Sequence, residues 1–233
     1  FNWIEYKHSP NQLLYKVLFD AAKTCKTPYL IWNNDDDMIN IKGLINSIEC
    51  IHNEKKYSSV TGRLRKKRSN YGKKEFYNWR ENFNYISTDP MERINNMFEC
   101  FCSPVHDVMR KECLEKSCEI VLNNRDFYPI RFFDRIVGMV QAIYGSKKVI
   151  NYTLLERSKN QSKKKKEFKR LLEWEDFPAV LERDKKPSEM LIALKNNDPF
   201  SSLLVELYGG DFNFYNSNII KILKAYYSKI EKK

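Results

Sequence analysis

A short apolar strand that runs into three consecutive acids is the feature that most constrains this chain. The segment 28–32 is apolar and aromatic, as expected of a buried strand, and after two asparagines it is followed by Asp35, Asp36 and Asp37. Adjacent carboxylates repel one another unless a cation neutralises them. Oxygen-only ligands suit Mg²⁺ or Mn²⁺, and α/β folds bind ligands at the carboxyl ends of strands. The pattern therefore predicts a divalent-cation site at the end of this strand.

The same acids have a second interpretation that needs no metal. Aspartates are common in solvated turns and at helix N-termini, and Asp37 is suited to cap a helix starting near Ile39. The apolar strand before the acids and the amphipathic helix after them favour the cation site, because a site for a metal and a diphosphate at a sheet edge requires both neighbours.

The order of periodic segments predicts an α/β fold. Apolar residues recur at helical spacing after Ser9-Pro10 and again over 41–51, while the segments 28–32 and 57–61 have the composition of strands. Helix, strand, helix, strand in this order predicts an α/β domain with a mostly parallel sheet flanked by helices.

Cationic and aromatic side chains alternate over 63–84, beginning with Arg63. Such a stretch can hold phosphates and stack on bases or sugar rings, which predicts a lid or an acceptor groove. A solvated loop is the alternative interpretation.

Two ionisable residues in the second half lie among apolar neighbours. His106 falls in the segment 103–109, expected to be a strand, where a histidine is either structural or a ligand for a metal or phosphate. Asp134 falls near the start of an apolar helix closed by Gly145. Burial would raise the pKa of Asp134 and suit it to act as a general base, although the helix dipole also favours a first-turn acid without any catalytic role.

Composition limits the classes of protein and partner. The 233 residues suffice for a substantial core, and the apolar share of 42% is that of a folded protein. The net charge of +11 favours negatively charged partners. The six cysteines lack the paired spacing of zinc sites, which predicts reduced thiols. With no signal-peptide pattern and no initiator Met, the sequence predicts an internal or C-terminal piece of a longer cytoplasmic protein.

We expect two units, a core over 1–157 and a basic helical extension over 158–233. The extension carries four lysines at 163–166 beside aromatic and aliphatic residues. That combination suits an anionic membrane surface, and it is also typical of a solvated helix face. Short helices after Pro187 are expected to dock on the core.

The order of these motifs resembles the GT-A glycosyltransferases, specifically the family 2-like group. The resemblance covers Ser9 to Arg157 and implies a GT-A-like, Rossmann-like core that lacks the first strand-helix-strand unit, which binds the nucleotide base. It rests on the helix from Ser9, the strand 27–30, the acids and their neighbours over 35–39, the helix ending at 52–54 and the strand 57–62, and more loosely on 89–93, 107–110, Phe133-Asp134 and Gly145.

The resemblance also implies an activity and the residues that perform it. By position, Asp35 and Asp37 match the Asp-x-Asp acids that hold Mn²⁺ or Mg²⁺ and, through it, the donor diphosphate, with Asp36 as an alternative ligand. Asp134 matches the catalytic carboxylate best, with Asp126 as runner-up.

The implied reaction is transfer of a sugar, with inversion, from a nucleotide-sugar donor to a hydroxyl of a glycan or lipid-linked acceptor. Arg63 and Asn34 are expected to contact the donor. The expected location is cytoplasmic, with peripheral contact to an anionic membrane at its inner face, and nucleic acid is not an expected partner. The alternative is a nucleic-acid-binding or non-catalytic interaction protein that uses the basic aromatic surface.

Overall fold

The computed structural model describes residues 14–33, 37–67, 74–77, 84–99, 103–123, 133–158 and 199–209. The described helices are α1 (Leu14–Thr24), α2 (Ile41–Asn53), α3 (Pro90–Glu99), α4 (Lys111–Asn123), α5 (Phe133–Tyr144) and α6 (Pro199–Tyr208). The described strands are β1 (Tyr29–Ile31), β2 (Asp37–Ile39), β3 (Tyr57–Lys67), β4 (Lys74–Tyr77), β5 (Val108–Arg110) and β6 (Ser146–Ser158).

The described strands form one mixed sheet in the order β1-β5-β3-β6-β2, with β4 beside β3. Strands β3 and β6 run parallel, and the pairs β1 with β5, β5 with β3, β3 with β4 and β6 with β2 are antiparallel. The predicted α/β class is confirmed. A mostly parallel sheet is not, because among the described strands β3 and β6 form one parallel pair and the other four pairs are antiparallel.

Helices cover both faces of the sheet. Val60 and Val108 are buried with Ile51 of α2 on one face. Met109, the next residue along β5, is buried in the larger core on the other face, where Gln141 of α5 donates to its sulfur at 3.6 Å. Successive side chains of a strand point to opposite faces of the sheet, so Val108 and Met109 of β5 belong to different cores.

The larger core joins five helices. Tyr15, Ile94, Cys118, Val137 and Leu203 come from α1, α3, α4, α5 and α6, and each is at most 1% exposed. Burial of a side chain of this size contributes about 1.5–3 kcal/mol, so this helical layer is a main source of stability.

The buried side chain of Arg93 links α3 to the end of α5 by hydrogen bonds. Its guanidinium donates to the carbonyl oxygens of Ser87 at 2.7 Å, Ala142 at 2.7 Å and Ile143 at 3.2 Å, and to the hydroxyl of Tyr208 at 2.8 Å. It thus satisfies carbonyl groups at the end of α5, which lack partners within their own helix.

Glycine allows α2 to start directly against β6. A Cβ on Gly43 would lie 2.0 Å from the carbonyl oxygen of Thr153. The side chain of Asn40 caps the helix by accepting from the Gly43 amide at 3.1 Å, and the Asn40 amide donates to Leu154 at 2.8 Å. The start of α2 is therefore fixed to the strand that pairs with Asp37.

One expectation about local structure has the wrong bounds, and two of the alternative interpretations do not match the described residues. Asp37 does not cap a helix, because it begins strand β2 and Asn40 is the cap residue. The strand expected over 103–109 is only Val108–Arg110. The stretch that begins at Arg63 is not simply a loop, because β3 continues to Lys67 and pairs with β4.

Two other features concern thiols and membrane spans. Cys25, Cys50, Cys113 and Cys118 are free thiols, as predicted for these four. Burial raises the pKa of Cys118 to about 12. Among the described residues there is no helix with the length and apolar character needed to cross a membrane.

Candidate functional site

The end of β1 lies against a tight turn over 103–107. The sheet register places Ile31 opposite Val108, so Trp32 and Asn33 continue alongside the turn. The backbone amide of His106 donates to the carbonyl oxygen of Trp32 at 2.9 Å, and the amide of Asp107 donates to Pro104 at 3.0 Å. The turn is therefore hydrogen-bonded to the chain just before the predicted acid cluster.

A buried histidine links the two sides of that cluster. His106 Nε2 lies 3.0 Å from Asp37 Oδ2, and both side chains are at most 3% exposed. The other ring nitrogen, Nδ1, lies 2.9 Å from Asn33 Oδ1, and Asn33 Nδ2 donates to the backbone oxygen of Asp37 at 3.0 Å. One imidazole thus holds residues 33 and 37, which flank 34–36.

The next residue of the turn forms a second buried ion pair. Lys147 Nζ donates to Asp107 Oδ2 at 2.6 Å, and these side chains are 3% and 0% exposed. Lys147 also exchanges two backbone hydrogen bonds of 3.0 Å with Tyr85. Two adjacent residues of one turn are therefore tied to β2 and β6, which fixes the turn from both sides.

Asp134 contacts the first residue of the same turn. It lies in the first turn of α5, half-buried, and accepts a hydrogen bond from the Ser103 side chain. Burial raises the pKa of its carboxyl, while the charge and amide of Arg135 and the Ser103 hydroxyl lower it in part. A carboxylate whose pKa moves toward neutrality is suited to take a proton from a substrate.

An aromatic contact brings α5 to the same place. The ring centroids of Trp32 and Phe133 lie 5.5 Å apart, within the range of favourable ring pairs. Phe133 is the residue before Asp134, and Trp32 is the residue before Asn33. Asn33 and Asp134 thus each directly follow one residue of a packed aromatic pair.

The turn therefore joins two of the carboxylates predicted from the sequence. Ser103 contacts Asp134, and His106 contacts Asp37. Three residues of extended chain span at most about 11 Å, so both carboxylates approach one short segment at one end of the sheet.

The structure places Arg63 toward that same end. Strands β3 and β5 pair at Val60 and Val108, and the turn precedes Val108 in an antiparallel strand. Arg63 lies three residues beyond Val60, where β3 pairs with Thr153 of β6. Its side chain is half-buried.

The remaining predicted site residues, Asn34, Asp35, Asp36 and Asp126, lie outside the described residues. Within the part of the chain that is described, no three His, Cys, Asp or Glu side chains gather as ligands of a metal ion. Of the predicted acids the structure describes only Asp37, whose carboxylate offers the hard oxygen atoms that Mn²⁺ and Mg²⁺ prefer. Its side chain is 0% exposed, and its Oδ2 lies 3.0 Å from His106 Nε2.

Sequence reasoning missed several members of this site. The sequence pattern does not single out Asn33, Ser103 and Lys147, and it marks Asp107 only as part of an expected strand and of the loosely matched segment 107–110. Lys147 is followed by an identical residue, so its pattern does not distinguish the buried lysine from Lys148. The signal for Asn33 was its place between an apolar strand and the acids.

Comparison with known proteins adds no family to this description. No family model matches the sequence, and a search of curated proteins finds no match.

Proposed function

We propose that this protein is a metal-dependent glycosyltransferase with a GT-A-like core. It transfers a sugar from a nucleotide-diphosphate donor to a hydroxyl of a glycan or lipid-linked acceptor. The observation that carries the proposal is the convergence of Asp37 and Asp134 on the turn 103–107. Two carboxylates in different environments at one end of a sheet suit a reaction that needs both a charge-holding group and a base.

In this proposal the acids at the end of β1 hold the donor. Asp35, Asp36 and Asp37 supply carboxylate oxygens for Mn²⁺ or Mg²⁺, and Asn34 lies beside them in the chain. A divalent ion bound there offsets charge on a leaving diphosphate, which contributes several kcal/mol to such reactions. Arg63 supplies a positive charge for the phosphates from the same end of the sheet.

Asp134 acts as the base in this proposal. Deprotonation of the acceptor hydroxyl by a carboxylate on the face opposite the leaving group inverts the anomeric carbon. The hydrogen bond from Ser103 orients the carboxylate, and burial raises its pKa and so strengthens it as a base. Asp126, outside the described residues, is the second choice for this role.

The basic character of the chain supports a phosphorylated donor and an acceptor at an anionic surface. The net charge is +11, and part of it lies in the four consecutive lysines at 163–166. Cationic groups beside aromatic residues favour peripheral contact with anionic lipids. The proposed location is therefore cytoplasmic, at the inner face of a membrane, where a lipid-linked acceptor is accessible.

A double substitution tests the proposal directly. Asp35→Asn with Asp37→Asn removes two negative charges and keeps nearly the same side-chain volume. We expect hydrolysis of the nucleotide-sugar donor and Mn²⁺ affinity both to fall by at least tenfold. Unchanged hydrolysis together with unchanged Mn²⁺ affinity contradicts the assignment. Asp20→Asn, an acid on α1 paired with Lys16 at the surface, is the matched control.

A second candidate function rests on the pairing of β3 with β4, which places a further strand beside the basic end of β3. Basic β-strands bind nucleic acid in some proteins. Such binding weakens steeply as salt concentration rises. The affinity for single-stranded or duplex oligonucleotides is measured by fluorescence anisotropy between 50 and 200 mM salt. A protein with many phosphate contacts loses about 10³-fold or more in affinity over this range, so the measurement distinguishes the two functions.

A further inference from the structure

The outer side of α2 carries large apolar side chains. Ile41, Ile45 and Ile48 are 65%, 50% and 38% exposed, and their spacing of four and three residues places them on one side of the helix. These three residues are the isoleucine stripe. The other side of α2, with Gly43 and Ser47, is buried where the helix packs on β3, β5 and β6. Packing on the sheet does not account for the stripe, since surface helices usually carry polar residues on their outer side.

The residues next to the stripe suit a boundary between an apolar phase and water. Met38, three residues before Ile41, is 71% exposed. The ring of Tyr152, also exposed, has its centroid 5.9 Å from Lys42 Nζ. Tyrosine and lysine side chains each combine an apolar body with a polar end, and tyrosine is enriched where proteins meet lipid headgroups. A lipid surface therefore matches both the stripe and its neighbours.

The charges around the stripe favour an anionic lipid surface. The segment 41–56, which covers α2 and the turn after it, contains three lysines and two glutamates. Lys42, Lys55 and Lys56 are all exposed, and Lys56 pairs with Glu54 at 3.2 Å. Arg110 adds a further cation, because its guanidinium donates to the carbonyl oxygen of Lys55 at 3.0 Å. Together with the net charge of +11, these cations complement anionic headgroups.

We propose that α2 is the surface that docks this protein on an anionic lipid bilayer. The isoleucine stripe inserts among the headgroups, and the lysines at the two ends of α2 contact the lipid phosphates. Attachment of a helix at the interface scales with the apolar area it buries plus its attraction to anionic lipids. The stripe and the cations therefore act together, and neither is sufficient alone.

Docking through α2 brings the candidate site to the bilayer. Helix α2 follows β2 in the chain, and β2 begins at Asp37. The acceptor class that this arrangement favours is a hydroxyl on a lipid headgroup. That choice of acceptor rests on the proposed function, whereas docking itself does not depend on transfer activity.

Co-sedimentation with vesicles tests the docking surface. The anionic vesicles contain equal parts of phosphatidylcholine and phosphatidylglycerol, and vesicles of phosphatidylcholine alone are the neutral comparison. The triple variant Ile41→Gln, Ile45→Gln and Ile48→Gln removes the stripe and keeps good helix formers. We expect its partition coefficient on anionic vesicles to fall about tenfold or more, because three apolar side chains no longer leave water on binding.

A second variant adds apolar surface, because a gain of binding does not come from a damaged fold. Ile45→Trp should raise the partition coefficient, since tryptophan favours the membrane interface. The matched control for the loss is the triple variant Leu14→Gln, Val205→Gln and Leu207→Gln. These side chains are between 40% and 45% exposed on α1 and α6, which pack in the larger core on the other face of the sheet. The control should bind vesicles as the unsubstituted protein does.

The outcomes separate docking through α2 from the proposed function. If the stripe variants bind anionic vesicles like the unsubstituted protein, or if the control loses as much, α2 is not the docking surface. The proposed membrane contact then falls to the lysines at 163–166. If the unsubstituted protein binds neither kind of vesicle, or binds both equally, docking on anionic lipid is wrong.

Two further measurements complete the test. A change from dimer to monomer in the glutamine variant of the stripe, seen by sedimentation velocity, would show that a second copy covers the stripe and would also overturn the proposal. Thermal shifts with Mn²⁺ and nucleotide, which test the transferase itself, should be equal in the unsubstituted protein and in all of these variants.

Discussion

Trp32 and Phe133 pack with their ring centroids 5.5 Å apart, and this contact seats the first turn of α5 against the end of β1. Each ring is next in sequence to a residue of the candidate site, Asn33 in one case and Asp134 in the other. Packing of two apolar side chains thus determines how far apart the polar groups of the site can be. The position of the proposed base depends on the core as much as on its own contacts.

Substitution of the proposed base is expected to abolish transfer without weakening the fold. Burial raises the pKa of Asp134 above its ordinary value of 3.8. The folded protein therefore binds this proton more readily than the unfolded chain, and stability falls as pH rises from the ordinary value through the raised one. Asp134→Asn cannot ionise, so its unfolding free energy relative to the unsubstituted protein should increase over that window and stay higher at neutral pH.

Urea unfolding at a series of pH values checks this expectation, together with donor turnover in the presence of acceptor. Glu112→Gln is the matched control, because Glu112 is an exposed acid in the first turn of α4. Full transfer activity in Asp134→Asn would show that another residue acts as the base, with Asp126 the next candidate.

The buried pair of Lys147 and Asp107 is expected to contribute strongly to the stability of the fold. Lys147→Met leaves the Asp107 carboxylate without the ammonium that lies 2.6 Å from it. Breaking one side of a buried pair typically costs about 3–5 kcal/mol. We expect the free energy of unfolding, measured with urea, to fall by that amount. Adding Asp107→Asn to the same chain should restore part of the loss, because the double variant has no unpaired buried charge.

The surface pair of Lys116 and Glu119, 3.2 Å apart, provides the comparison. Lys116→Met should change the free energy of unfolding by no more than about 1 kcal/mol, the usual value of exposed pairs. Equal losses in the two single substitutions would show that burial does not determine the strength of the inner pair.

Replacement of Gly43 tests the close approach of α2 and β6. An alanine Cβ would meet the Thr153 carbonyl oxygen at 2.0 Å, so helix and strand must separate. Alanine favours helix by about 1 kcal/mol over glycine, and overpacking costs about 1–3 kcal/mol, so we expect a net loss. Lys42→Ala, one residue earlier and exposed, should stay within about 0.5 kcal/mol. A gain in thermal stability for Gly43→Ala would contradict the described packing.

The sequence allowed the α/β class, the strand before the acids and the helix bearing Asp134 to be predicted, because each has a clear apolar period or boundary. Strand β2 could not be predicted in this way. Its three residues, Asp37–Ile39, form a strand because they pair with β6, a partner more than a hundred residues away. Local pattern carries no information about such a partner, and a single aspartate before apolar residues favours a helix cap instead.

Helix α4 and the conformation of His106 illustrate two other limits. The buried face of α4 includes Cys113, Ser117 and Cys118, small residues that give a weak apolar signal. The sequence predicts an extended strand at His106, whereas its φ of 77° puts it in a turn held by long-range contacts. The sequence therefore identifies candidate residues by their type, whereas their hydrogen-bond and ion-pair partners can be identified only in the folded structure.

Binding of nucleotides in the presence and absence of Mn²⁺ tests the central claim most directly. A thermal-shift panel of UDP, GDP and CMP derivatives measures it on the unsubstituted protein. Ligand at a hundred times its dissociation constant adds about 2.7 kcal/mol of stability, which corresponds to a Tm increase of roughly 5–10 °C for a chain of this size. We expect an increase of that size for at least one nucleotide with Mn²⁺ and none for the same nucleotide with chelator. No Mn²⁺-dependent shift with any of these nucleotides would contradict the account.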